Sequence, residues 1–311
     1  MLKRRKILVL LAMLFFLLPF SAMATDLPPI VSTEELAAAL TNPDLVVVDI
    51  RKVEEYKAGH IPGAISVFYG TLAITRADNA NELPMDDDLI DTIGSAGIKP
   101  DSIVVIYGKT DTPPERVNIT RAAWTLKYAG VEKVSVMNGG FEKWSIREKR
   151  PVSTEMEKPK SVSFKGKFNK TILADKDYVW KSLGSKGMIL IVDVREPDFF
   201  DGQQKLPFVA KAGRIAGAVN LPSMQVFEKY PPGDHMEMCC WTFKDTDTLR
   251  NMATGVVGLD PTREIIVYCD TGRVASTWWY ILSQVLGYKN VKLYDGSMQE
   301  WSKDDNAPML P

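Results

Sequence analysis

An internal repeat constrains the fold of this 311-residue chain more than any other feature. The first half reads Leu45-Val46-Val47-Val48-Asp49-Ile50-Arg51 and then Gly59-His60-Ile61-Pro62-Gly63-Ala64. The second half answers with Ile189-Leu190-Ile191-Val192-Asp193-Val194-Arg195 and Gly213-Arg214-Ile215-Ala216-Gly217-Ala218. Ile103-Val104-Val105-Ile106-Tyr107-Gly108 then matches Ile265-Ile266-Val267-Tyr268-Cys269. Each half closes alike, Asn138-Gly139-Gly140-Phe141-Glu142-Lys143-Trp144 against Tyr294-Asp295-Gly296-Ser297-Met298-Gln299-Glu300-Trp301. The same elements in the same order mean two structural units of one kind. The length agrees, since a domain takes roughly 100–200 residues.

The local pattern is α/β. Continuous apolar runs at 45–48, 103–107, 188–192 and 265–268 suit strands buried on both faces. Helical stretches alternate with them. Ser32 and Glu35 form a capping box ahead of Leu36 and Leu40, and Ile119, Ala122, Ala123 and Leu126 recur at helical spacing, as do Trp278, Ile281, Leu282 and Val285. Each domain is therefore expected to be a mostly parallel sheet flanked by helices. The boundaries expected are 25–145 and 170–302, joined by a charged and proline-bearing linker at 146–169 and followed by a tail at 303–311. Within the linker, 161–168 reads as an extended strand. Residues 231–252 read as a polar insertion.

Residues 1–24 stand apart as an export signal. Lys3, Arg4, Arg5 and Lys6 precede an apolar run over 7–20, and Ala22 and Ala24 give the small-residue pattern of a cleavage site. The 14-residue run is short for a membrane span, so cleavage after Ala24 and a periplasmic location are expected over an uncleaved anchor. On this reading the membrane is met only through the signal. Removing its four cations takes the formal net charge from -1 to -5, too little to imply a nucleic-acid partner.

The chain has three cysteines, and an oxidising compartment tends to pair them. Cys239 and Cys240 are adjacent and would bridge only with strain. At least one thiol stays unpaired within a monomer, and Cys269 is the candidate. It ends a β-branched strand, and the loop Asp270, Thr271, Gly272, Arg273, Val274 then feeds a helix. That order lets successive backbone N–H groups and a helix N-terminus surround the sulfur. Gly272 permits a backbone conformation that lets the loop curl, Thr271 adds a hydroxyl, and Arg273 is expected to lower the thiol pKa.

Other thiol chemistries fit less well. A cysteine phosphatase places an arginine six residues after its nucleophile, where this chain has Ala275; Arg273 is only four away. The loop is thus sized for one sulfur atom rather than a tetrahedral oxyanion. Only His60 and His235 are available for Cys–His catalysis, and neither accompanies the loop. The segment Asp234-His235-Met236-Glu237-Met238-Cys239-Cys240-Trp241 has soft-metal donor types but no metal-site spacing, so no metal is assigned. A resolving role for Cys239 or Cys240 toward Cys269 is the second reading of that segment, and incidental packing the first.

These motifs together resemble the rhodanese family, specifically its tandem-domain sulfurtransferases. The resemblance spans roughly 27–145 and 170–302. It implies two rhodanese-like domains, with the nucleophile Cys269 in the second and neither metal nor organic cofactor. A small sulfane-sulfur donor, thiosulfate or 3-mercaptopyruvate, would load Cys269 as a persulfide. A thiol, cyanide or a protein acceptor would then take the sulfur. The alternative within the family is a persulfide carrier or sulfur-sensing module with little turnover. The first domain has Gly108 at the decisive position and a longer loop, 36 residues from Gly108 to Trp144 against 32 from Cys269 to Trp301. It is expected to be catalytically silent and to wall the cleft.

Two departures concern the donor. Phe199 stands where tandem sulfurtransferases usually place an anion-holding arginine, and Asp270 adds negative charge beside the nucleophile, with Arg273 expected to compensate. The loop Cys-Asp-Thr-Gly-Arg-Val matches neither the thiosulfate-type nor the mercaptopyruvate-type sequence. Asp193 and Arg195 are expected chiefly as a loop tie, with Arg195, Arg214 and Asp193 as candidate supports for the site. Asp49 and Arg51 are their silent counterparts, His60 is read as a turn residue, and Trp144 and Trp301 as packing.

Overall fold

The computed structural model describes residues 26–185, 188–230 and 240–311. The signal segment, His235 and Cys239 lie outside the described residues. The two halves build the same five-stranded parallel sheet. In the first, Ile30–Val31, Lys133–Met137, Ile103–Tyr107, Leu45–Asp49 and Ile65–Ser66 lie side by side in that order. In the second, the order is Leu173–Ala174, Asn290–Tyr294, Glu264–Tyr268, Ile189–Asp193 and Val219–Asn220. The apolar runs occupy the central strands, and Ile103–Tyr107 is buried throughout. That is the outcome expected of strands covered on both faces.

The helices begin where their caps direct. Ser32 and Glu35 form the capping box of Thr33–Ala39. Thr112 and Glu115 do the same for Pro113–Ala129, which carries Pro at its first turn and stops at Gly130 in the left-handed region (φ 96°). Its counterpart after Cys269 runs as Ala275–Tyr280 and continues as a wider turn over Ile281–Val285.

These two helices cross at the boundary between the halves. Thr120, Ser276 and Thr277 meet there through their hydroxyls, at 3.0 and 3.1 Å. Small side chains let the helix axes approach closely, and the hydroxyls satisfy one another in a buried place. One continuous cluster of buried side chains runs from Val48 and Trp124 to Val192 and Trp278. Tyr280 also donates its hydroxyl hydrogen bonds to the Pro29 and Val134 carbonyls of the other half. The two repeats thus share one core.

Three expectations about the connecting segments are corrected. Residues 161–168 form no strand; the chain lies against the first domain, with Phe164 buried and Val162 donating to the Gly94 carbonyl. From Cys240 on, the segment read as an insertion is built into the fold. Trp241–Phe243 pairs with Phe227–Lys229, and Thr246–Val257 is a helix that buries Leu249, Ala253 and Val257. Its apolar residues at helical spacing are obscured by the polar residues between them. The tail is no tail, because Met309–Leu310 pairs antiparallel with Arg214–Ile215. The indole N–H of Trp301 holds that return through the Pro308 carbonyl, as Trp144 holds Pro151 in the first half.

Candidate active site

Cys269 follows the last residue of the strand Glu264–Tyr268, at the carboxyl end of the sheet where α/β folds bind ligands. The loop after it is closed from below by Ser297, whose Oγ accepts from the amides of Cys269 (3.2 Å) and Gly272 (2.9 Å) and donates to the Tyr294 carbonyl. Ser297 does this from φ 50°, a left-handed conformation uncommon for a side-chain-bearing residue. Met298 and Gln299 donate backbone hydrogen bonds to the Cys269 and Asp270 carbonyls. With those carbonyls held, the amides of Thr271, Val274 and Ala275 are left to hydrogen bond the sulfur. Gly272 sits at φ 72°, and a Cβ there would lie 2.8 Å from the Asp295 carbonyl and 3.0 Å from Arg121 Nη1, so both conformation and space require glycine.

The thiol is not electrostatically primed in the way expected. Burial pushes the Cys269 pKa up, and the Asp270 charge adds to that, against the lowering effect of the three amides. Arg273 does not face the sulfur. Its Nε donates to Asn118 Oδ1 (2.8 Å) and its Nη2 to the Pro114 carbonyl (2.6 Å), so it is a strut to the first domain. Asp270 is paired instead by Arg195, Nη1 to Oδ1 at 3.3 Å. Burial still pushes the Asp270 carboxyl up to about 6, with Asp193 adding and Arg195 opposing.

Asp193 and Arg195 form the expected tie. Arg195 donates to both Asp193 carboxylate oxygens and to the Gly213 carbonyl (2.8 Å). The Tyr268 hydroxyl accepts from the Ile215 amide, which closes the turn onto the strand. The first half repeats this with Asp49, Arg51, Gly59, Tyr107 and Ile61. His60 sits in that turn, stacked on Tyr56 with ring centroids 3.8 Å apart and Nδ1 2.8 Å from the Tyr56 carbonyl. Arg214 does not support the site. Its guanidinium packs over Phe200 and meets the Pro311 carbonyl, fastening the returning C-terminal strand.

The first domain contributes groups that no sequence motif announces. A hairpin of Ile74–Arg76 and Asn79–Glu82 reaches across the boundary. Gln299 grips both the amide and the carbonyl of Ala80, and Asp295 accepts from the Leu83 amide. Asn81 is thereby set beside the loop, donating from Nδ2 to Thr271 Oγ1 (3.1 Å) while accepting from the Tyr69 hydroxyl (2.9 Å). Because Asn81 fills an acceptor position of Thr271, the hydroxyl hydrogen of Thr271 is left to point elsewhere. Under the loop, the fully buried Arg121 pairs with Asp295 at 2.5 Å. These contacts join residues far apart in the chain, and no spacing rule connects them.

The cleft above Cys269 holds a cavity of about 440 Å³. Asp270, Thr271, Arg273 and Val274 line it with Cys269, and Asn81, Pro113, Pro114 and Val117 come from the first domain. Phe199, Leu206, Phe208 and Met224 of the second domain close the far wall, so the two halves wall the cleft together.

Two like α/β domains with the amide-cradled thiol of Cys269 in the cleft between them define a tandem-domain α/β protein. Comparison with known proteins places it further. The rhodanese-like domain matches residues 32–147 and 175–304, and the chain belongs to the rhodanese family. It is 28% identical to a thiosulfate sulfurtransferase of Azotobacter vinelandii, over 91% of this chain and 97% of that one. It is 29% identical to the sulfur carrier protein TtuD of Thermus thermophilus, over 90% and 95%. Among solved structures, a 3-mercaptopyruvate sulfotransferase of Escherichia coli superposes with a TM-score of 0.69 at 25% identity, covering 87% of this chain and 98% of that one.

Proposed function

We propose that this protein is an exported sulfurtransferase that carries sulfane sulfur as a Cys269 persulfide. The observation that carries the reading is the loop: one thiol at a sheet's carboxyl end, with three amides directed at it and a cleft opening above it. The Cys269 thiolate attacks the outer sulfur of a donor. The bond between that sulfur and the rest of the donor breaks, and the donor remnant leaves with the electron pair. An acceptor thiolate or cyanide then attacks the outer sulfur of the persulfide, and Cys269 departs as a thiolate. The amides stabilise that leaving anion without moving. The names of the relatives make thiosulfate and 3-mercaptopyruvate the first small donors to try, with a thiol, cyanide or a protein sulfur carrier as acceptor. Export rests on residues 1–24, and cell fractionation checks it.

Intact mass measurement after donor exposure, beside a turnover assay, tests the reading. The wild type should gain the mass of one sulfur atom and pass it on, and Cys269→Ser should do neither. An adduct that survives in the serine variant would place the chemistry elsewhere. The similarity to TtuD favours a second reading, a persulfide carrier serving a partner. Full loading of Cys269 with negligible turnover on small acceptors would select it.

A further inference from the structure

The walls of the cleft bear on which donors it takes. Two guanidinium groups adjoin the cavity, and both are already engaged. Arg195 faces the carboxylates of Asp193 and Asp270 and the Gly213 carbonyl, and Arg273 is turned onto Asn118 and Pro114. Asp270 and Glu196 bring carboxylates into the lining. Burial raises both carboxyl pKa values, as expected where negative charge is poorly solvated. Around these groups the wall is apolar, with Phe199, Leu206, Phe208 and Met224 facing Pro114 and Val117. Phe208 is 41% exposed, a large ring held at the surface. A small dianion entering here would lose its hydration and meet only engaged cations among the described residues of the lining. A cavity of about 440 Å³ also has far more room than a few-atom inorganic donor fills.

Resting on the sulfur-transfer reading above, we infer that the Cys269 cleft takes a sulfane-sulfur donor with an apolar organic body and at most one negative charge, in preference to thiosulfate. Organic thiosulfonates and organic persulfides are of this class. With a thiosulfonate, the Cys269 thiolate attacks the terminal sulfur, the bond from that sulfur to the sulfonyl group breaks, and a sulfinate leaves with the electron pair. One persulfide forms, and no external oxidant or reductant is needed. The apolar body lies against Phe199 and Met224, and the sulfur is passed down to the loop.

Three donors separate charge from body: benzenethiosulfonate, methanethiosulfonate and thiosulfate. For each, kcat/KM for loading Cys269 is divided by the rate of that donor's uncatalysed reaction with a small thiol. The expected order is benzenethiosulfonate, then methanethiosulfonate, then thiosulfate, with the ends on the order of 100-fold apart, since each apolar contact in a pocket is worth roughly tenfold or more. Phe199→Arg should improve thiosulfate and shrink that ratio at least about tenfold. Glu196→Gln, which keeps its size, should shrink it less. Equal normalised rates, or a ratio that neither substitution moves, would overturn the inference while leaving sulfur transfer intact. No adduct from any of the three donors is a different result: it removes this inference, and it removes the transfer reading as well if 3-mercaptopyruvate leaves no adduct either.

Discussion

Gly108 and Cys269 occupy the same place in two sheets of matching strand order, and the loops that follow them differ in where their amides go. After Cys269, the amides of Thr271, Val274 and Ala275 turn to the sulfur. After Gly108, side chains of the same domain take them: Thr110 donates to Glu142 and Thr112 to Glu115, each at 3.3 Å. Lys109 is held among Glu55, Asp111 and Glu115. Glu142 stands at the position of Gln299, which in the second half turns outward to grip Ala80. The first loop turns its donors onto carboxyl groups of its own domain, whereas the other keeps its donors for a sulfur. Losing the thiol is therefore only part of what separates the halves; the cradle has been filled as well.

The largest effect expected from breaking this comparison is the one that moves the thiol. Gly108→Cys in a Cys269→Ser background should acquire no persulfide, because the amides there are occupied. A Cβ at Gly108 would also lie 3.1 Å from Ile50 and 3.3 Å from Ile119. Loading of the transplanted thiol in that variant, read by intact mass, would show that a thiol alone suffices. Next in size is the shared frame. Asp49→Ala and Asp193→Ala each take the bidentate partner from a buried arginine, Arg195 keeping only its longer contact to Asp270, and each should cost about 3–5 kcal/mol in denaturant unfolding. Similar losses are expected because the geometry is repeated. A much smaller loss at Asp49 would mean that the two ties carry different loads.

The repeat made the frame legible. The central strands of both parallel sheets and the Asp–Arg ties follow from apolar runs, two of which end in Asp-x-Arg, and the place of the Cys269 thiol in the cleft follows from its position at a strand end. The loop's electrostatics did not. A charge three or four residues from a cysteine says nothing about direction, and Arg273 leans onto Asn118 and Pro114 because the neighbouring domain offers it acceptors. Asn81, Tyr69 and Arg121 are hidden for the same reason. Their meaning is created by the packing of one repeat on the other, and no motif marks the hairpin around Asn81, whose counterpart in the second half is Phe227–Lys229 with Trp241–Phe243. Thr246–Val257 escapes a sequence reading because its buried residues Leu249, Ala253 and Val257 are spread among polar neighbours.

A smaller effect sharpens the comparison by asking what the first half adds to the chemistry. If Asn81 orients the Thr271 hydroxyl, Asn81→Ala should slow loading of Cys269 about five- to tenfold, the worth of one hydrogen bond. Thr271→Val should slow it at least as much. The double variant should be no slower than Thr271→Val, because both changes remove one device. Additive losses would mean that Asn81 acts on the cleft independently of Thr271.

The smallest effect is a shift along the pH axis. Asp270 is carboxylate above about pH 6, and as an anion it opposes formation of the neighbouring thiolate. The Cys269 pKa is already raised by burial, so the loading rate should climb with pH as the thiolate forms. Asp270→Asn removes the charge but keeps the shape, and should move the midpoint of that climb to lower pH. Arg195 then loses one of its two carboxylate partners and stands closer to an unscreened cation, which acts in the same direction. The first half offers the matching control: Lys109 holds the position of Asp270 beside a glycine, so Lys109→Gln should leave the loading profile where it was. If Asp270→Asn leaves the midpoint in place, Arg195 already neutralises Asp270 as seen from the sulfur, and burial alone sets the thiol pKa.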